Sequence, residues 1–409
     1  QYNILQAAGG ITGSFGSVLP NYLFLGGTLN YAANGVQLDV ARNANTFASV
    51  AATPNQRSVA AAAEQLGAGN AVYESLLSAP NAASAQGAFQ QLSGEIYPAL
   101  ETALVNDNRY LREAVGERLQ QGEMGASTET IDSRGNVWVK ALGAWGKTDS
   151  RSDTAGYTTS IGGMLAGVDG ALDEDTRLGL VAGYSDTSLN MGSDTHSRAS
   201  VDSYHLGAYA GHEIGALRLS GGATYSWHRA DVKRELQYGE VAGKQKAKVD
   251  ARSTQVFTEA AYRLNLQPLA VEPFANLAYV HLDADGFTEK GDAAALKGGD
   301  DSRDVVLSTL GVRALKTLNV SDHQQLELSG TLGWQHNLSS VDSERHLAFA
   351  SGSPSFSVES SPMVRDAALV GARVSLALSK DAKVNLDYNG LLASKEKVHG
   401  VGLSLDWAF

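Results

Sequence analysis

Ser226 and His228, separated only by Trp227, are the residues of this sequence that most invite a catalytic reading. On an extended chain, residues two apart share a face. A hydroxyl and an imidazole would then stand side by side, as a nucleophile and its base must. Hydrolysis would also need a third group to orient the ring and an open face for substrate. Wider signatures are missing: there is no G-x-S-x-G elbow, no G-K-[ST] phosphate loop and no H-E-x-x-H zinc helix. His205 and His212 are seven apart, fall on opposite faces of a strand and cannot share a metal. DADG at 283–286 opens like a calcium loop but lacks the third acidic position and the later Glu, so it reads as a solvated loop. No cofactor and no metal are expected.

The strand that carries Ser226 and His228 is one of a series. In GALRLSGGATYSW, Leu217, Leu219, Ala223, Tyr225 and Trp227 make one face, and Arg218, Ser220, Gly222, Thr224 and Ser226 the other. HQQLELSGTLGWQHN and KVNLDYNGLL repeat this period of two, the mark of a strand. About twelve such segments follow one another, near 136–147, 161–171, 176–189, 199–213, 216–231, 249–265, 268–283, 303–317, 322–338, 365–379, 382–393 and 396–409. Most reach the roughly 9–11 residues a tilted strand needs to cross a bilayer. The connections alternate in length. Those at 148–160, 190–198, 232–248, 284–302 and 339–364 are long, and those at 172–175, 213–216, 267, 319–321 and 379–382 are short. Long loops at one end, short turns at the other and an even strand number predict an outer-membrane β-barrel. The long loops would be extracellular, and the barrel ends near Arg134 and at Phe409 periplasmic.

Composition agrees. No run approaches the roughly 20 apolar residues of a spanning helix, although 43% of the 409 residues are hydrophobic. The lack of cysteine suits passage through an oxidising compartment, and a net charge of -12 argues against nucleic acid as a partner. A start at Gln1, with neither Met nor a signal-peptide pattern, suggests a processed or partial chain. The terminal GVGLSLDWAF alternates to its last residue. A closed barrel leaves no edge, so that strand must pair with the first, placing Trp407 and Phe409 in an aromatic girdle. Ser226 and His228 then face the lumen, away from any substrate on the outer wall.

The first 130 residues differ in texture. Residues 1–42 read as short β runs with a hairpin turn at Asn34 and Gly35. Residues 55–122 are Ala-rich and helical, with Thr53 and Pro54 as a start signal and Gly67–Asn70 as a break. From Pro98 to Gln121 a helix would be about 36 Å long, enough to cross a membrane-sized pore, yet Glu101, Asp107, Arg109, Arg112, Glu113, Glu117 and Arg118 make it too charged for lipid. This predicts a helix inside the lumen, held by wall charges including Glu259, Glu272, Glu327, Arg313 and Arg373.

At this point ILQAAGGITGSF, FASVAATPNQRSVA, LSGEIYPALETALVNDNRYLREAVGERL, VWVKALGAWGKTD, IGGMLAGVDG, RLGLVAGYSD, EPFANLAYVHL and the terminal LSLDWAF resemble, as a set, the translocator region of monomeric autotransporters, the type V secretion family. The resemblance implies an all-β transmembrane barrel of about twelve antiparallel strands, an α-helical linker through the pore and a short β-solenoid stub. By this reading, 1–46 is the end of a passenger β-helix, 47–97 a helical linker, 98–133 the pore helix and its connection, and 134–409 the barrel. It implies export and anchoring of the chain's own passenger at the surface of a Gram-negative cell, residues 1–97 outside, and any catalytic part before residue 1. It also implies outer-membrane lipid and the barrel assembly machinery as partners, the latter reading the strand that ends in Phe409, and a monomer. The alternatives are a self-plugged channel and an outer-membrane hydrolase. In some relatives a pore Asn, activated by lumenal acids, cuts the chain. Asn106 and Asn108 match by type and place, and Glu259 and Glu272 face the lumen by alternation, but the surrounding sequence does not reproduce the cleavage motif. Pairing of these acids with Arg263, Arg313, Arg373, Arg109 or Arg112 is the preferred reading.

Overall fold

The computed structural model describes all residues except 19–21, 125–134, 193–194, 240 and 322–323. Three strands, β1 (Tyr2–Gln6), β2 (Leu25–Ala32) and β3 (Gly35–Arg42), come first. A 3-10 turn (Phe47–Val50) leads to α1 (Pro54–Glu64), α2 (Ala71–Leu77), α3 (Ala82–Leu92) and α4 (Ile96–Met124). The wall starts with β4 (Asn136–Thr148), β5 (Tyr157–Ala171), β6 (Thr176–Met191), β7 (Ser197–Ile214), β8 (Leu217–Tyr238) and β9 (Val241–Tyr262), which β10 (Leu264–Leu266) prolongs. It continues with β11 (Leu269–Ala284), the short β12 (Phe287–Thr288) and β13 (Leu296–Gly298), then β14 (Asp301–Ser321) and β15 (Gln324–Asn337). After β16 (Ser343–Phe349) and β17 (Phe356–Ser360), the wall ends with β18 (Asp366–Ala377), β19 (Ala382–Leu392) and β20 (Glu396–Ala408).

Twelve of these strands close into an antiparallel barrel. β20 lies along β4 from Glu396 opposite Thr148 to Ala408 opposite Asn136, and the Phe409 amide donates to the Gly135 carbonyl at 2.9 Å. The last strand therefore ends where the wall ends, with no edge left open. Burial alternates along each strand: on β8, Leu219, Ala223 and Trp227 are exposed while Arg218, Thr224, Ser226 and His228 are buried. The polar face is covered because α4 fills the lumen. Inside the wall α4 meets Lys140 of β4, Asp169 of β5, Thr187 of β6, Gln255 of β9 and Asp387 of β19, by itself or through one shared partner.

Local signals set the helices. Thr53 accepts from the Gln56 amide at 3.2 Å and Pro54 occupies the first helical position of α1. Gly94, at φ 72°, breaks the helical run between α3 and α4. A Cβ there would also meet Leu296 at 2.6 Å and Leu347 at 2.9 Å, so the turn admits only glycine. The pore helix starts at Ile96, two residues before the expected Pro98. Proline is tolerated there because first-turn amides have no helical acceptor.

Three expectations differ. Segment 232–248, read as a long loop, is taken up by the paired ends of β8 and β9, Val232 opposite Ala247 through Tyr238 opposite Val241. Val232, Arg234, Leu236 and Tyr238 are buried inward while Lys233 and Gln237 point out, so the charges mark one face of a strand. The long connections 284–302 and 339–364 hold β12, β13, β16 and β17, which make a four-stranded antiparallel sheet capping the mouth. Asn55 of α1 ties to this cap twice, through the Glu359 carbonyl at 2.7 Å and the Glu359 amide at 2.8 Å. Residues 1–42 form an antiparallel sheet in the order β1-β3-β2, whereas solenoid rungs would stack in parallel. The reversal sits at Ala33 and Asn34, one residue before the expected Asn34 and Gly35, with Ala32 paired opposite Gly35, and it dictates the antiparallel pairing. Arg42 fastens this sheet to the linker, pairing with Glu64 at 2.6 Å beneath the rings of Phe24 and Phe47. The connection expected to return the chain to Arg134 lies outside the described residues, as does part of loop 190–198 and of the turn after Ser321.

Candidate functional site

The functional feature is the interface between α4 and the lumen wall. At its extracellular end the Tyr97 hydroxyl donates to Glu289 at 2.6 Å, and its ring stacks on Phe287 with centroids 3.9 Å apart. Glu289 takes both arms of Arg234 at 2.7 and 2.8 Å, and both side chains are fully buried. Glu101 pairs with Arg345 of the cap, and Thr102 bonds Ser343 at 2.9 Å. Just before the helix, Glu95 accepts from the Ala155 amide at 2.6 Å and from Gln90 at 2.8 Å. Burial pushes the Glu95 carboxyl up from its ordinary 4.5 to about 7 against these two donors.

Midway, Asp107 accepts from Thr187 at 2.8 Å. Asn108 accepts from Ser253 at 3.1 Å, and its backbone carbonyl accepts from Gln255 at the same distance. Arg112 reaches Gln255, and Arg109 pairs with Glu113 of its own helix at 2.9 Å. Lower, Glu117 and Asp387 share Lys140, while Asn389 at 3.1 Å and Arg373 at 3.5 Å complete the shell of Glu117. Arg118 forks onto Asp169 at 2.6 and 2.8 Å with Asp406 at 3.4 Å. Asp169 is itself fixed by Arg177 and by Tyr209, whose hydroxyl receives the Trp138 indole at 2.8 Å. The Arg118–Asp169 and Lys140–Glu117–Asp387 groups, each held by several hydrogen bonds, satisfy the condition under which buried ions are tolerated.

Of the sequence candidates, the structure does not bring the asparagines to the acids. Arg313 bonds Glu259 at 2.7 and 2.8 Å and Glu272 at 3.0 Å, and Arg218 bonds Glu272 at 2.6 Å. This cluster lies beside Gln120, whose amide is within 3.3 Å of the Arg313 guanidinium. Gln120 is about 18 Å along the helix from Asn108. The acids therefore hold wall arginines, and Arg313 is the expected partner among them. Helix arginines Arg109 and Arg112 go elsewhere, and Glu327 pairs with Lys383 at 3.3 Å. Arg373 does reach the helix, as expected.

Ser226 and His228 are both lumenal but are not paired. Ser226 bonds His205 at 2.7 Å, and His228 lies between Ser203 at 2.8 Å and Ser253 at 2.9 Å. Neither ring has a carboxylate partner among the described residues, so the triad logic has no third member. His212 faces out and bonds Thr176 at 2.9 Å, apart from His205. Asp285 of the DADG run is held by Arg252 at 2.8 Å. The lock residues that sequence reasoning missed are Lys140, Asp169, Asp387 and Asp406. Each interrupts an outward apolar alternation at an inward position, and that was the signal available.

A closed barrel with an apolar outside and its own helix ion-paired within the lumen defines an outer-membrane barrel stoppered by its own N-terminal segment. Residues 137–389 match the family described as Autotransporter beta-domain, and the chain belongs to that family. Two proteins called Extracellular serine protease, from Serratia marcescens, are each 36% identical over 453 aligned residues. The match takes in all of this chain but 43% of each relative, so the chain spans less than half the length of the curated relatives it matches. The translocator domain of autotransporter NalP from Neisseria meningitidis shares the fold at a TM-score of 0.57 and 15% identity, over 75% of this chain and 98% of that one. The protein is thus an outer-membrane translocator of the autotransporter kind, residing in the Gram-negative outer membrane.

Proposed function

We propose that this chain exports a passenger of the secreted serine-protease kind and then anchors it at the cell surface. Hydrolytic activity would lie in that passenger and not in the barrel. The observation that carries the reading is α4 seated through the lumen: a chain leaving the barrel at the extracellular mouth is already threaded as an exported segment would be. The 36% identity to the Serratia proteases supports the passenger class. On this reading residues 1–46 close the passenger, 47–97 lie outside as a linker, the outward apolar face meets lipid, and the barrel acts as a monomer. The assembly machinery reads the strand that ends at Phe409. The lumenal residues Asn106, Asn108, Glu259 and Glu272 do no chemistry and serve the seating of helix and wall. Intact-mass measurement after long incubation tests that last point: a species cut between 105 and 109 would overturn it.

The export reading is tested by joining a reporter ahead of Gln1 and expressing the fusion in a Gram-negative host. The reporter should be accessible to antibody on whole cells, and deletion of β20 should abolish this. A reporter retained in the periplasm while the barrel is folded in the outer membrane would refute export.

A further inference from the structure

Above the aromatic level of the wall, the outward faces of β7, β8 and β9 carry a charge pattern that the pore does not explain. Arg198 stands opposite Lys233, and Lys233 opposite Lys246. Lys246 is joined to Lys290 by two backbone hydrogen bonds of 3.0 and 2.7 Å. All four side chains are exposed. Four cations therefore stand in one row across neighbouring strands, about 4.8 Å apart. Like charges directly opposite weaken a sheet. Arg198 has Glu235 at 3.7 Å, which Lys244 shares at 3.7 Å. Among the described residues, Lys233, Lys246 and Lys290 have no carboxylate partner. The inner face of the same segments is occupied by Val232, Arg234, Leu236, Ala247 and Val249, all buried, so the row is not a misplaced core face.

Height narrows the partner. Lys233 is six residues beyond the exposed, outward Trp227, about 20 Å along the strand. At a tilt of about 40° that is about 15 Å above the interfacial girdle. Ordinary headgroup regions extend only about 5–8 Å past the hydrocarbon. A membrane lipid that presents an anion at this level needs a large headgroup.

We infer that the row Arg198, Lys233, Lys246 and Lys290 binds phosphate groups on the sugar headgroup of an outer-leaflet glycolipid. Ammonium groups at this spacing meet separate phosphates, and binding removes the repulsion along the row. The site faces away from the lumen and is independent of the helix. The inference rests on the outer-membrane placement given above.

The test uses the full chain, refolded in detergent micelles, and the double variant Lys233→Gln with Lys246→Gln. The probes are purified lipopolysaccharide with phosphorylated sugars and the same material after dephosphorylation. A basic side chain near an anionic surface is worth about fivefold in affinity, so the double variant should bind the phosphorylated glycolipid roughly 25-fold more weakly. Wild-type binding should weaken steeply with salt, the variant's less so. Dephosphorylated glycolipid should bind both chains equally weakly. Heat-modified gel mobility reports barrel folding separately, so loss of that signature would count against the barrel reading and not against the site. Binding of the variant within twofold of wild type would overturn the inference. Equal wild-type affinity for dephosphorylated glycolipid, or for polyglutamate, would overturn it too.

Discussion

Replacing Asp169 by Asn should unseat the periplasmic half of the pore helix. Asp169 has no exposed side-chain surface and holds Arg118, which is 6% exposed, through two bonds of 2.6 and 2.8 Å. The amide keeps the volume and removes the charge. Taking one partner from a buried pair costs about 3–5 kcal/mol, because the other charge is left in a poorly solvating site. Asp406, 3.4 Å from Arg118, offsets part of this, so the lower end, about 3 kcal/mol, applies. That is on the order of a hundredfold in the population of undocked helix. Amide hydrogen exchange of residues 108–120 reads it directly: protection should fall about a hundredfold, while the wall strands β11 and β14 keep theirs. Adding Arg118→Met should restore much of the protection, since the orphaned charge is gone. Protection of α4 within a few fold of wild type in the single variant would refute the idea that this pair seats the helix.

Ala223→Arg, on the outward face near mid-wall, should destabilise the barrel by about 2–4 kcal/mol in vesicle unfolding, whereas Thr224→Ser on the lumen face should change little. Gly222 shares the polar lumen face by alternation, but a Cβ there would meet the Phe257 ring at 2.8 Å and the Ala208 carbonyl at 2.9 Å. Gly222→Ser should therefore cost about 1–3 kcal/mol, and neutral unfolding midpoints would count against the packing described. The connection 149–156, through the Ala155 amide on Glu95, should hold the linker more tightly in acid. Glu95 is raised from 4.5 to about 7, so the docked state binds the proton more strongly, and the stabilisation is present below about 4.5 and lost as pH rises through 7. The difference is at most about 3 kcal/mol. Proteolysis of residues 47–97 should accelerate between pH 5 and 8, and Glu95→Gln should flatten that dependence; an unchanged slope would exclude Glu95 as its source. Protease added to whole cells should reach connections 149–156 and 350–355 but leave the turns at 172–175 and 379–381 intact, and the reverse pattern would invert the topology.

The wall was legible because alternation survives wherever one face is apolar and the other packs on a polar helix. The strand list from sequence differs from the observed one mainly at the extracellular ends, where Lys233, Lys246 and Lys248 resemble loop residues although they occupy one face of a long hairpin. The cap was not legible. Its strands are short, and β13 pairs with β16 across some fifty residues, so no local pattern announces them. The pore helix was legible from length and charge together. Its partners were legible only by face: alternation places Glu259, Glu272, Lys140 and Asp169 inside the barrel, but their height follows from register and tilt. That is why Glu259 and Glu272 were expected on the helix and are found with Arg313 and Arg218.

The account turns on α4 lying inside the barrel. A Cβ built at Gly211 of β7 lies 3.1 Å from a Leu119 methyl of α4, which puts the two positions within reach of a short dithiol crosslink. The chain has no cysteine of its own, so Leu119→Cys with Gly211→Cys reports only this pair. In outer membranes of intact cells the double variant should crosslink on oxidation or with a one-carbon dithiol reagent, and neither single variant should react with a bulky thiol reagent added outside. A double variant that never crosslinks, with Leu119→Cys freely labelled from outside, would place the helix out of the pore and contradict the account.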